Sequence, residues 1–319
     1  MLRFLTRRLL FGAAVLWLVS TAVFGLFFVA PHDPARLIAG RLASAQTLAA
    51  VRHQLGLDRP VVDQYLHFLR GLLHGDLGYS YYNSEPVRTL IWSRLPVTVS
   101  LALGAAVIWL VIGVGFGVTA ARHAGTFMDR ATTLFAVSGL SMPPFLLGLL
   151  FLYFLFFRMH LAGVTWFPGG GYTPLTPNPL GWVQHLVLPW LTLAIASAAT
   201  YTRLTRTTLL EVLSEDYVRT ARAKGLTERR VVYRHGLGAA LTPVVTQFGV
   251  DIGTLLGGAV VTESVFGLPG LGQLAVQSVT TQDLPVVIGI VLVAATFIVL
   301  ANIVVDGFYA LLDPRVRFS

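Results

Sequence analysis

Six stretches of this 319-residue chain run for about twenty residues with almost no charge. They are 9–30, 95–121, 131–157, 186–202, 241–262 and 285–305; the fifth holds one acid, Asp251, and the others hold none. Hydrocarbon about 30 Å thick takes about twenty apolar residues of helix to cross, because a helix satisfies its own backbone groups where water cannot. Charged residues make up 12% of the chain, against roughly 25% in soluble domains. The pattern points to an all-α integral membrane protein with six transmembrane helices.

Prolines qualify two of the spans. Pro143-Pro144 predicts a kink in the third. The fourth is short and has Pro189 near its edge. The first follows Arg3, Arg7 and Arg8, as a secretory leader would. Its apolar run of 22 residues is longer than a leader's core, and no A-x-A site follows, so it reads as a retained span.

Lys and Arg set the orientation. With the N-terminus inside, the inner segments hold 15 of the 23 basic residues, eight of them in 203–240. Seven more lie in the long outer segment 31–94, where length weakens the rule. Both termini are therefore expected in the cytoplasm. The chain divides into a cytoplasmic N-terminus with the first span (1–30), an extracytoplasmic insert (31–94), a membrane core (95–305) with the loop 203–240, and a cytoplasmic tail (306–319).

Several chemistries are excluded. There is no cysteine, so neither a disulfide nor a thiolate metal site can form. No G-x-x-x-x-G-K-[ST], H-E-x-x-H or G-x-S-x-G occurs, so phosphate-loop ATP binding and zinc or serine hydrolysis are not suggested. The net charge of +8 is accounted for by the inner loops. His32, His53, His67, His74, His160 and His185 lie scattered in outer segments without ligand spacing, and read as solvated.

The insert reads as a small helical cap or as a tethered loop with interfacial helices. Ser44 can cap a helix over 45–55 that Gly56 ends, Asp58 and Pro60 can start a second that Gly75 ends, and Glu85-Pro86 a third. The outer loop 158–185 is turn-rich, with Trp166 and Trp182 suited to interface anchoring. Gly113 and Gly117, four apart in the second span, favour close helix packing.

The segment 214–243 is cationic and helix-forming, wedged between two spans. Ser214 can cap a first helix with Glu215 and Asp216 in its first turn and Arg222 and Lys224 in its last. Gly225 suits a turn of positive φ, after which Thr227 can cap a second helix, 228–237. Such a helical hairpin suits either the face of an anionic bilayer or a soluble partner.

Its residues carry a resemblance. Asp216-Tyr217-Val218-Arg219-Thr220-Ala221-Arg222-Ala223-Lys224-Gly225-Leu226, with Glu228-Arg229-Arg230-Val231 and Arg234-His235, resembles the EAA loop of binding-protein-dependent ABC importer permeases, most of all the B subunits of the dipeptide/oligopeptide branch. The likeness extends to Asp33-Pro34, to 54–60, to Gly75-Asp76-Leu77-Gly78, to Arg94-Leu95-Pro96, to Ser141-Met142-Pro143, to 257–261, to Pro269-Gly270-Leu271-Gly272 and to 312–317. Arg219 stands where the wider family has Glu, and Gly238 where it has Pro, both common departures in this branch. Gly236 and Gly238 also stand where larger residues would be expected, loosening the second helix by about 1 kcal/mol each.

The resemblance implies a type I ABC importer permease fold in a bacterial inner membrane. It implies that Asp216, Tyr217, Arg219, Thr220, Ala221, Arg222, Ala223, Lys224, Gly225 and Leu226 couple to an ATPase, and that Glu263 and Phe266 meet a receptor or neighbouring subunit outside. It further implies a second homologous permease, two cytoplasmic ATPases that bind the ATP and magnesium, an extracytoplasmic substrate-binding protein, and no cofactor or catalysis on this chain. Dipeptides or oligopeptides are the expected cargo; nickel chelates, glutathione and haem-like molecules are the alternatives.

Two readings concern the spans directly. At 100° per residue, Gln247, Asp251, Thr254, Gly258 and Thr262 share one face of the fifth span, opposite Gly249, Gly253 and Gly257. The polar face, with Gln247, Asp251, Thr254 and Thr262, is expected to line the passage or meet the partner subunit, and the glycine face to pack within the chain. A charge in hydrocarbon costs several kcal/mol, so Asp251 is expected either to line a passage or to be a buried, hydrogen-bonded acid. An intramembrane enzyme is the remote alternative: Ser138, Ser141 and Asp251 lie in spans, but no histidine does.

Overall fold

The computed structural model describes residues 2–26, 35, 44–54, 56–80 and 82–312; at 2–5, 51, 54, 253, 254, 256–258, 305, 306 and 308–312 it describes the backbone alone. Asp33-Pro34 and the tail 313–319 lie outside the described residues. The helices are α1 (Leu2–Phe24), α2 (Ala45–Gln54), α3 (Val61–Leu73), α4 (Val87–Arg122), α5 (Phe127–Ser141), α6 (Pro144–Phe151), α7 (Pro179–Leu213), α8 (Asp216–Ala223), α9 (Leu237–Val265), α10 (Leu271–Thr280) and α11 (Leu284–Leu312). Two-residue strands, β1 (Tyr79–Ser80) and β2 (Glu85–Pro86), pair antiparallel with Tyr79 opposite Pro86. The all-α reading thus gains one short hairpin, and Glu85-Pro86 is strand rather than helix start. Among the described residues, five helical stretches are long and apolar enough to cross a membrane: Thr6–Phe24, Val87–Arg122, Pro144–Leu161, Pro179–Leu213 and Leu284–Val304.

The third span is not 131–157. Met142 and Pro143 are extended, at ψ 121 and 135, because the residue before a proline is driven out of the helical region. Pro144 then opens a new helix at its first turn, where its missing N–H costs nothing. The apolar stretch that results is Pro144–Leu161, continued by a π-helical segment at Leu152–Arg158. The fourth span is longer than 186–202: α7 has 35 residues and carries Pro189 inside it.

By packing, the chain separates into two units. One comprises residues 1–96 and 274–300. In it Val23 of α1 and Ile288 and Leu292 of α11 bury one another, with Phe68 and Leu72 of α3 alongside. Tyr65 of α3 bonds Thr21 of α1 at 2.6 Å, and its ring packs tilted against that of Phe24, 5.1 Å between centroids. The insert therefore leans on spans through α3. Ser44 does cap α2, accepting from the Thr47 N–H at 3.1 Å. Ser80 donates to the buried Asp283 carboxylate, fixing the β-hairpin to the start of α11.

The other unit comprises 97–273 and 301–319. Its core surrounds α7, which packs on α5, α6 and α9. Lipid is as apolar as leucine, so helices in a membrane associate by close fit more than by water release. A Cβ on Gly113 would lie 2.5 Å from Tyr201, and one on Gly117 2.5 Å from Thr205, so both glycines let α4 touch α7. Trp190 of α7 closes the same contact, donating its ring N–H to the Ser100 carbonyl at 3.0 Å. Away from these seams, large apolar side chains such as Leu10, Leu18, Val111 and Phe154 are exposed, as lipid contact requires.

Candidate functional site

The charged segment folds as a hairpin between α7 and α9. Ser214 does not start α8: it ends α7, with its hydroxyl donating to the Glu211 carbonyl at 2.7 Å. Glu215 takes the cap position of α8, without a side-chain bond. Gly225 turns the chain at φ +76, as its position suggested, with nothing within 4 Å of where a Cβ would stand. Thr227 precedes the turn Glu228–Arg230, which continues through a π-helical stretch, Val231–Gly236, into α9.

The ten residues read as coupling residues divide between two faces of α8. Val218 and Ala221 are buried against Val231, Val212 and Leu213, and Leu226 is half-buried beside them. Asp216, Arg219, Thr220, Ala223, Lys224 and Gly225 are exposed. Asp216 and Arg219 form a loose surface pair at 3.4 Å. Tyr217 and Arg222 flank the buried side. The Tyr217 hydroxyl donates to the His235 carbonyl at 3.3 Å. Arg222 donates to the Leu213 carbonyl at 3.2 Å and grips Glu228 through two bonds, at 2.8 and 3.1 Å. That guanidinium, with Arg122 adding to the field, holds the Glu228 carboxyl below the ordinary carboxylate range. Gly236, expected to loosen the second helix, is instead a close-packing site: a Cβ there would meet Leu209 and Leu213 at 3.1 Å.

Further along the same helices lies a pair that sequence reading missed. Asp129, at the start of α5, receives two bonds from Arg206 of α7, at 2.6 and 2.9 Å, and one from the Gly125 N–H at 2.9 Å. Its residue is 6% exposed. The Arg206 guanidinium first, and the Gly125 amide second, hold its carboxyl down at about 2. The available signal was one acid and one base near the ends of apolar runs, with Arg130 and Arg203 as equally placed alternatives for the base.

In α9, Asp251 is half-buried and hydrogen-bonded. Tyr201 of α7 donates its hydroxyl to one carboxylate oxygen at 2.9 Å, and Gln247 its amide to the other at 2.9 Å. Trp109 stands 6.1 Å from Tyr201 and from Phe248, centroid to centroid, and backs the cluster. Gln247 and Asp251 are thus brought together. Thr262 is buried at the far end of α9, and the Thr254 side chain lies outside the described residues.

Glu263 and Phe266, read as outer contacts, face inward in this chain: they are 0% and 2% exposed. The Glu263 carboxylate accepts from the Thr98 hydroxyl at 2.6 Å and from the Gln273 N–H at 3.0 Å, and Thr98 accepts from the Leu271 N–H at 2.8 Å. An anion at the first turn of α10 satisfies amides that the helix cannot. Gly270 and Gly272 leave room for it, since a Cβ on either would fall within 3 Å of the carboxylate. Among the described residues, no cluster of His, Cys, Asp or Glu could hold a metal.

Long apolar helices with a polar hairpin between two of them define a multi-pass membrane protein. Residues 113–318 match the family described as "Binding-protein-dependent transport system inner membrane component", and residues 1–102 match "Binding-prot-dependent transport system membrane comp, N-term". A probable peptide ABC transporter permease protein of Sinorhizobium fredii, y4tP, is 38% identical over 315 residues, 99% of each chain. The glutathione transport system permease protein GsiC of Escherichia coli (strain K12) is 42% identical over 319 residues, the whole of both chains. Among solved structures, the MetNI methionine ABC transporter in an inward-facing conformation superposes with a TM-score of 0.52 at 20% identity, over 70% of this chain and 96% of that one; the likeness is one of fold. The chain belongs to the binding-protein-dependent transport system inner membrane component family, as an ABC transporter permease.

Proposed function

We propose that this chain is one permease half of an importer for dipeptides or oligopeptides. It crosses the inner membrane six times, with α9 as the span additional to the five apolar stretches, and both termini lie in the cytoplasm. A second homologous permease completes the passage. A substrate-binding protein delivers cargo outside, and two ATPases bind ATP and magnesium inside. The exposed face of α8 docks on one ATPase, and Gln247 and Asp251 face the passage. The carrying observation is the full-length likeness to peptide and glutathione permeases, joined to a polar hairpin whose outward face is exposed. Glutathione is the second reading, because relatives 42% identical over all 319 residues carry that name.

Moving a permease from 1:99 to 99:1 between two access states takes about 5.5 kcal/mol, which ATP closure must deliver through α8. Gly225→Trp tests the docking. The site has room within the chain, so the substitution adds only the strain of a non-glycine residue at positive φ, about 1–2 kcal/mol, and a bulky group on the outward face. In proteoliposomes containing the full complex, uptake of labelled dipeptide should be lost while membrane insertion persists. Unchanged uptake would reject the docking face.

A further inference from the structure

We infer that Arg222, Glu228 and Tyr217 are positioning residues that lock the α8 hairpin to both neighbouring helices, so that a push on α8 moves those helices instead of bending the links. This rests on the docking reading of α8. Two short links join α8 to the rest, 214–215 and 224–227. The second turns at Gly225, at φ +76, with nothing within 4 Å of where a Cβ would stand to brace it. An eight-residue helix on two such links would absorb displacement at its ends.

The buried contacts of Val218 and Ala221 with Val212, Leu213 and Val231 limit that freedom, and the side-chain bonds fix what remains. Tyr217, second in α8, reaches the His235 carbonyl in the stretch leading into α9. Arg222, second from the other end, reaches the Leu213 carbonyl that ends α7, and Glu228 beyond the turn. The helix is thus fastened near both ends and to both sides. Arg222 also occupies one of the final carbonyls of α7, which has no partner within its own helix. On a wheel at 100° per residue, Tyr217 and Arg222 lie on either side of Val218 and Ala221, while Arg219, Asp216 and Thr220 point the opposite way. Docking contacts and fastening contacts therefore belong to different residues. The α7 and α9 ends that receive the push also meet: the Thr208 hydroxyl, 3.0 Å from the Leu204 carbonyl of its own helix, stands 3.1 Å from the Ala240 carbonyl of α9.

The test uses the complete transporter in proteoliposomes and three readouts: ATPase retained on purification, ATP hydrolysed, and substrate imported per ATP. Glu228→Arg should keep the ATPases bound and hydrolysing but cut import per ATP at least tenfold. Glu228→Gln, which keeps the shape without repulsion, should give an intermediate loss. The exchange Arg222→Glu with Glu228→Arg re-forms the ion pair but leaves the Leu213 carbonyl without its donor, so import per ATP should lie between those of Glu228→Arg and wild type. Wild-type coupling in Glu228→Arg, or an exchange no better coupled than Glu228→Arg alone, would overturn the inference. Loss of ATPase binding in the exchange variant would also overturn it, by showing Arg222 to be a docking contact. Absence of ATPases from the wild-type complex would instead refute the docking reading.

Discussion

Replacing Glu263 by alanine should release the first turn of α10. The carboxylate is fully buried and holds two donors, the Thr98 hydroxyl at 2.6 Å and the Gln273 amide at 3.0 Å. Net contributions of about 1.5–3 kcal/mol attach to hydrogen bonds made by charged groups, and a buried donor left alone costs about 1–3 kcal/mol. Burying the carboxylate offsets part of this, and the void adds to the loss, so about 3–5 kcal/mol is expected. Thr98→Val removes the same link from the other side, and the double variant should lose less than the sum of the two, with a coupling of about 1–3 kcal/mol. The assay is thermal unfolding of the purified complex in detergent, with amide exchange read on 271–273. Both the melting temperature and the protection of these amides should fall. Unchanged protection at Leu271 and Gln273 in Glu263→Ala would refute the cap.

Two further outcomes follow from the same geometry. The Asp129 carboxyl is depressed from 3.8 to about 2, so the stability it adds is complete above its ordinary value and disappears as pH falls through about 2; acid unfolding of Asp129→Asn should lack the part of the wild-type transition between those values. In α4, Gly113→Leu should prevent folding or assembly, because even a Cβ falls 2.5 Å from Tyr201, whereas Gly115→Leu, with nothing within 4 Å, should be tolerated; comparison of yields from membranes decides it.

What the sequence made legible was whatever depends on near neighbours. Charge-free runs predicted helices because each helix closes its own hydrogen bonds, and Gly225 predicted a turn because only glycine takes positive φ cheaply. Pro143-Pro144 predicted a kink, but not that the helix would stop and restart there. Ser214 illustrates a different limit. A serine before acidic residues is a good cap by composition, yet here the preceding helix ran on to Leu213 and claimed it. Partners distant along the chain were invisible: Thr98 lies 165 residues from Glu263, and Asp129 lies 77 from Arg206. An isolated carboxylate near a span end declares that it needs a donor without naming which one. Glu263 was read as an outer contact from the resemblance, and its hydrogen-bond partner within the chain is a threonine in another helix.

Five side-chain contacts between helices involve one helix. Along its length α7 supplies Trp190 to α4, Tyr201 to Asp251, Arg206 to Asp129, Thr208 beside the Ala240 carbonyl and the Leu213 carbonyl to Arg222. Between Tyr201 and Leu213 the sequence contains neither glycine nor proline, and Pro189 lies beyond that stretch. Kinks in helices arise at such residues or at π-bulges, so this part of α7 has no built-in bending point. Twelve residues at 1.5 Å each put the Arg222 anchor about 18 Å along the axis from the carboxylate cluster. Leu213, which accepts from Arg222, and Tyr201, which donates to Asp251, therefore lie on one uninterrupted stretch of helix. Since Tyr201 donates to Asp251 on α9, a shift of α7 relative to α9 must stretch or re-form that bond. On the docking reading proposed above, a push on the hairpin would reach Asp251 through α7 itself, without a chain of side chains between them.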